Sequence, residues 1–246
     1  MTTLDRSALV LGDGTPAVVR ERTTSTHDDA RQLAVSGAPH GTWVVAEEQT
    51  AGRGRLGRRW EMPAGSGLAL SVVLRPRLPP ADVPLLCLAA AVAVADRHPA
   101  LRIKWPNDVL LPDGRKVCGI LAEAEPGSDR AAFVLLGVGV NLTASPPLDT
   151  AGHLAELSGP PRWTRESLAV ALVEDILRWA AKLEGRAHSE LVEAWTARSA
   201  TNGRRVRVGK VEGMAEGIDA SGTLWVRGDD GRRHPIVAGD VQLVRW

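Results

Sequence analysis

From Leu85 to Ala95 the chain carries an unbroken apolar run, LLCLAAAVAVA, inside an Ala-rich stretch from Val83 to Arg97. A stretch of this length and composition reads as a helix rather than a strand. It has no polar face, so protein must cover it on every side, and it is far too short to cross a bilayer. With 246 residues, 44% of them hydrophobic and 24% charged, the chain has material for one large soluble domain, or one domain plus an appendage.

The segments around that helix read as follows. Thr26 can cap a helix running to about Ser36, with Asp28 and Asp29 in its first turn and Gly37 ending it. TWVVAEE and GLALSVVLRP read as buried strands, and LRIKW as a short strand cut by Pro106. VLL, the turn PDGRK and VCGILAEAE suggest a hairpin, followed by a central strand in AFVLLGVGVN. Residues 143–161 form a Pro-rich loop. Thr164 caps a helix with Leu168, Leu172, Ile176, Trp179 and Leu183 on one face, and Ser189 to Ser199 continues as another. After Asn202-Gly203 come short alternating segments, RRVRVG, EGMAEGID, TLWVRG and RRHPIVAGDVQLVRW, with a turn at Asp230-Gly231. They predict a small β-barrel-like module. The expected architecture is a mixed domain over 1–200 and a small all-β domain over 201–246.

Between the first two buried strands lies AGRGRLGRRW, Ala51 to Trp60, with four arginines and three glycines in ten residues. Glycines let backbone N–H groups converge on an anion, and arginines add bidentate donors for carboxylate or phosphate. The formal net charge is only +1, against the clear basic excess of a general polyanion binder. The arginines are therefore a local feature aimed at something small, although an RGG-like nucleic-acid contact or a solvated surface loop would have the same composition. KWPND, Lys104 to Asp108, places a cation, an indole, an amide and a carboxylate at a strand end, where ligands sit in such sheets. In GRKVCGILAE, Lys116 opens an otherwise apolar strand. Taken singly, the last two could be a strand terminus and a solvated lysine.

In order along the chain, TSTHDDA, EEQTAGRGRLGRRW, KWPND, RKVCGILAE and GVGVN resemble the biotin protein ligases, which biotinylate biotin carboxyl carrier proteins. The resemblance runs from about Thr24 to the C-terminus, and GRGRLGRRW with KWPND is its specific part. It implies an α+β fold, a mixed sheet flanked by helices, with a small SH3-like C-terminal barrel. It also implies an ATP-dependent reaction in two steps. Biotin is first activated to biotinyl-5′-AMP with release of pyrophosphate, Mg2+ assisting, and is then transferred to a carrier lysine.

By the same resemblance Ser25 and Thr26 contact biotin, with His27 where the family commonly has Asn, and Gln49 joins them. Gly52, Arg53, Gly54 and Arg55 belong to a loop that closes over ligand, with glycines 52, 54 and 57 as hinges. Arg58, Trp60 and Asn107 lie near the nucleotide, and Trp105 lies beside the ligands. Gly119, Gly137, Gly139 and Asn141 complete the ligand-binding set. Lys116 is the lysine that reaches both biotin carboxylate and phosphate, acting with Arg53 and Arg55 by charge stabilisation. Asp108 meets the incoming lysine, either orienting it or taking its proton, and the second role needs a raised pKa. No protein metal site is expected.

Lipoate and octanoate ligases share the related fold and are the nearest enzymatic alternative; a non-catalytic biotin-binding module is another. A DNA-binding repressor is not expected, because only some twenty residues precede Thr24, so no nucleic-acid partner is foreseen. MTTLDRSALVLGDG lacks a basic region followed by an apolar run, so no signal peptide and no membrane partner are expected. Cys87 and Cys118 read as small apolar residues in a reducing compartment, and the expected location is cytoplasmic. Monomer and homodimer remain equally open.

Overall fold

The structure, a computed structural model, describes residues 3–160 and 162–244. Pro161, at the end of the expected Pro-rich loop, and the last two residues of RRHPIVAGDVQLVRW lie outside them. In chain order the elements are β1 (Val18–Thr23), α1 (Thr26–Val35), β2 (Trp43–Gln49), β3 (Gly67–Leu74), α2 (Val83–Ala95), β4 (Arg102–Lys104), β5 (Asp108–Leu110), β6 (Lys116–Glu125) and β7 (Phe133–Asn141). Then follow α3 (Arg165–Glu184), α4 (His188–Arg198), β8 (Arg205–Val208), β9 (Val211–Ile218), β10 (Leu224–Gly228), β11 (Arg233–Ile236) and β12 (Gln242–Leu243).

The first seven strands form one mixed sheet in the order β1-β2-β3-β7-β6-β5-β4, parallel only between β1 and β2. The last five form a second, antiparallel sheet in the order β11-β10-β9-β8-β12. Strand β1 was not foreseen. Its sequence, VVRERT, is charged and half exposed because it is an edge strand, with only β2 beside it. The cap of α1 is Ser25 rather than Thr26: the Ser25 hydroxyl accepts from the His27 N–H, and Thr26 is already helical.

All eight residues of β3 are buried because the sheet is covered on both faces. Alternation along the strands separates the two sides. Val44, Val73, Phe133 and Leu135 pack under α1 with Ala30 and Ala34. Trp43, Val45, Val72, Leu74, Val134 and Leu136 belong to the larger core, which holds α2 and the apolar face of α3. Helix α2 is buried almost throughout, as an apolar cylinder must be, with α3, α4 and the underside of the sheet around it. Cys87 and Cys118 are both free thiols. No helix among the described residues is long and apolar enough to cross a membrane.

Candidate active site

The face of the sheet under α1 changes character where the helix begins. Along β7 the residues on that face are Phe133, Leu135, Gly137 and Gly139, so two large side chains give way to two bare positions. The neighbouring strands continue the floor at the same level: Ser71 and Leu121 pair with Gly137, and Ala69 and Gly119 with Gly139. Apart from Leu121 the floor is of small residues, and it leaves a cavity beyond the α1 N-terminus, about 470 Å³ of empty space including its mouth to solvent. It brings together Ser25, Thr26, His27, Gln49, Arg53, Gly54, Arg55, Trp60, Asn107, Lys116, Gly119, Gly137 and Gly139, with Ser71 among its other walls.

One wall is a polar relay. Gln49 Oε1 accepts from the Thr26 N–H at 2.8 Å and the Thr26 hydroxyl at 3.0 Å, and that hydroxyl lies 2.9 Å from the Ser71 hydroxyl. Ser71 was not anticipated; a serine inside GLALSVVL, with all its neighbours buried, was the available signal. His27 is buried beside it, its Nε2 3.3 Å from Glu123 Oε2, and neither ring nitrogen makes a hydrogen bond among the described residues. Burial holds its pKa below the ordinary histidine value, with the nearby Glu123 carboxylate opposing and Arg53 and Arg31 reinforcing the shift. A depressed histidine pKa favours the neutral ring in the folded state, so the unfolded chain binds more protons once pH falls toward 6.5. Stability should therefore rise with pH through the unfolded-state value, and His27→Asn should flatten that rise in thermal melts between pH 5 and 7.5.

The Arg/Gly loop closes over the other side as a folded hairpin. Gly54 N–H donates to Arg58 C=O at 2.8 Å and Trp60 N–H to Gly52 C=O at 2.9 Å, while Leu56 and Gly57 turn the tip with φ of 57° and 73°. Three of the arginines fasten the loop to other parts of the fold, and the fourth to its own base. Arg53 pairs with Asp28 at 3.0 Å and Glu123 at 2.6 Å, and Arg55 donates to Asn107 Oδ1 at 2.9 Å. Arg58 meets Asp240 of the second sheet's terminal segment at 2.8 Å, and Arg59 donates to Thr50 C=O at 2.7 Å. Gly52 does not line the cavity. A Cβ there would lie 2.4 Å from Trp60 O, so this glycine answers close packing at the hairpin's base.

From the hairpin, Trp60 lays its indole on the bare strip of sheet. A Cβ at Gly139 would fall 2.4 Å from the indole ring, and one at Gly119 would meet both Trp60 Cζ3 at 3.1 Å and Lys116 Nζ at 3.0 Å. Gly139→Ala should therefore displace the indole. Overpacking of this kind costs about 1–3 kcal/mol; with biotin as the ligand that the sequence resemblance implies, its affinity by calorimetry should fall roughly tenfold or more, with the melting temperature moved by only a few degrees. Trp105, expected beside the ligands, is instead 2% exposed, and its Nε1–H donates to Gly222 C=O of the second sheet.

Lys116 stands at the seam between this cavity and a wider cleft that opens toward the second sheet, and it lines both. Its Nζ lies 2.5 Å from Asp108 Oδ1 and 5.5 Å from the centre of the Trp60 ring. Asp108 and Arg58 line the wider cleft and not the first cavity. Burial alone would raise the Asp108 pKa, but Lys116 and Lys104 outweigh it and hold the carboxyl below its ordinary value. A depressed carboxylate makes a poor proton acceptor, so its geometry suits orientation rather than general base work. Asn141 lies behind the site: its Nδ2 donates to Gly152 C=O at 3.0 Å, and the Gly152 N–H donates to Lys116 C=O at 2.9 Å. No set of three or more His, Cys, Asp or Glu side chains among the described residues is arranged to hold a metal.

Comparison with known proteins agrees with this arrangement. Residues 19–141 match the biotin/lipoate A/B protein ligase family, and residues 201–244 match the biotin protein ligase C-terminal domain. The chain is 39% identical to the biotin–acetyl-CoA-carboxylase ligase of Paracoccus denitrificans over 234 residues, covering 86% of this chain and 94% of that one. It is likewise 39% identical to the ligase of the same name from Mycobacterium tuberculosis, covering 91% and 87%. The fold superimposes on the biotin protein ligase from Aquifex aeolicus in complex with biotin and ATP with a TM-score of 0.76, at 26% identity, covering 94% and 99%. With the family matched over the very strands and loop that build its cavity, the chain belongs to the biotin/lipoate A/B protein ligases, and among them to the biotin protein ligases.

Proposed function

We propose that this protein activates biotin with ATP, giving biotinyl-5′-AMP and pyrophosphate, and then transfers the biotinyl group to a lysine of a biotin carboxyl carrier domain. The observation that carries the assignment of roles is the place of Lys116, whose ammonium lines both cavities at once. Biotin occupies the cavity over the glycine floor, and its rings meet Thr26, Gln49 and Ser71. Its carboxylate is already ionised and needs no general base to attack the ATP α-phosphate. The barrier is bringing two anions together, which Lys116 lowers by a fixed charge, helped by the arginines of the hairpin.

Magnesium is part of this proposal. The residues present suit an ion carried by the nucleotide's phosphates and water rather than by a protein cage, which is how magnesium commonly binds. When bound it neutralises phosphate charge and assists pyrophosphate in leaving. The adenylate is a mixed anhydride open to hydrolysis, and the hairpin keeps water from it. The acceptor amine enters from the wider cleft, where Asp108 orients it.

Acetyl-CoA carboxylase, named by the relatives, is the enzyme whose carrier domain we propose as acceptor, and the cytoplasm as the place of reaction. The test is to mix the protein with biotin, Mg-ATP and a carrier domain and map the modified residue by mass spectrometry. Biotin on one carrier lysine is the expected outcome. Pyrophosphate release driven by lipoate or octanoate, and not by biotin, would overturn the substrate assignment.

A further inference from the structure

The acceptor lysine poses a problem that the site must solve. At neutral pH its side chain is an ammonium, which cannot attack an acyl carbon, and a bare carboxylate at the entrance would hold it in that form. Asp108 is not bare. Lys104 stands directly opposite it across the β4–β5 pair, with Nζ 2.9 Å from Oδ2, while Lys116 sits 2.5 Å from Oδ1. Each carboxylate oxygen already has an ammonium, and the Asp108 side chain is only 11% exposed. The cluster therefore carries one anion and two cations.

Further out, the cleft adds Arg58, Arg102 and Arg204 against Asp113 and Asp240, so cations outnumber anions there too. Arg58 is matched by Asp240, and the Arg102 guanidinium donates to the Pro99 and Leu101 carbonyls. Asp113 pairs with Arg115, so among the described residues no element of the cleft offers an unmatched carboxylate beside Asp108.

We propose that Lys104 is a positioning residue for the transfer step: by occupying one oxygen of Asp108 and leaving the entrance net positive, it causes the acceptor lysine to be received as its free amine. This rests on the ligase reading and on Asp108 as the group that the acceptor meets. The incoming ammonium gives one proton to solvent, because a cation beside a lysine disfavours its charged form. The nitrogen lone pair then forms the bond to the acyl carbon, the carbon–oxygen bond to phosphate breaks, and AMP leaves with that electron pair. The second proton on nitrogen passes to water, leaving a neutral amide. Without Lys104, the Asp108–Lys116 pair is neutral overall, and the vacated oxygen would grip the acceptor as an ammonium.

The step can be isolated by supplying synthetic biotinyl-5′-AMP and a recombinant biotin carboxyl carrier domain, and measuring single-turnover transfer from pH 6 to 10. Lys104→Met should raise the apparent pKa of the rising limb by about one pH unit, roughly a tenfold loss of rate at neutral pH. Lys104→Arg keeps the charge and should return the profile to within a few tenths of a unit. A Lys104→Met profile that keeps its parent position, whatever its amplitude, would overturn the proposal. So would an equal shift in both variants, which would trace to packing rather than charge. Failure of the parent protein to transfer biotin from the synthetic adenylate would instead refute the ligase reading beneath it.

Discussion

Lys116→Ala should abolish adenylation while leaving the fold in place. Fixed charges and donors aimed at a transition state are worth about 3–4 kcal/mol each. Lys116 is the cation common to both cavities, so biotin-dependent pyrophosphate release should fall roughly 100- to 1,000-fold or more. Stability should change little. The side chain is one-third exposed, and its partner Asp108 keeps Lys104 as a counter-ion after the substitution. Breaking a buried pair is costly when a charge is left alone, and here none is. A circular dichroism melt close to the parent's, with no burst of pyrophosphate, is the expected pair of results. Near-normal pyrophosphate release would place the reaction centre elsewhere.

Arg55→Gly should separate making the intermediate from keeping it. Arg55 fastens the hairpin to the cavity floor through Asn107, whose own Nδ2 is anchored on Ile120 C=O at 2.8 Å. The change removes a charge-assisted contact of about 1.5–3 kcal/mol and adds backbone freedom next to a turn already in the left-handed region. A loss of that size shortens residence of the adenylate by roughly ten- to a hundredfold. Lys116 and Arg53 are untouched, so biotinyl-5′-AMP should still form, and then escape. Lysines of an added bystander such as albumin should become biotinylated in the presence of the variant and not of the parent. Unlabelled albumin and a retained adenylate would assign the clamp to another residue.

Features set by local chemistry were readable in the sequence. The apolar run at α2, the Arg/Gly hairpin between two buried strands, and Lys116 at the head of β6 all declare themselves within a few residues. What escaped depends on partners far along the chain. Strand β1 has no apolar alternation of its own and exists because β2 offers a parallel edge. Arg58 meets a carboxylate 182 positions away, and Trp105 finds its acceptor in a turn of the other sheet. Asn141, grouped with the ligand-binding residues by motif, instead steadies the segment that holds the Lys116 backbone. The glycines of β6 and β7 lie between these extremes. Their presence was plain, but that they form one bare strip under an indole follows only from the register Gly119 to Gly139.

One contact ties the end of the chain to its beginning. The turn at Gly222 lies against Leu88 and Leu85 of α2, so close that a Cβ there would fall 2.8 Å from one and 3.0 Å from the other, and its carbonyl holds the Trp105 indole. The terminal sheet thus supplies part of the wall that an all-apolar helix requires. Lifting it away would bare α2 to water, at a cost that grows with every leucine uncovered. Heat or denaturant should therefore find no half-way state with one sheet lost and the other whole: the two are halves of a single cooperative melting unit.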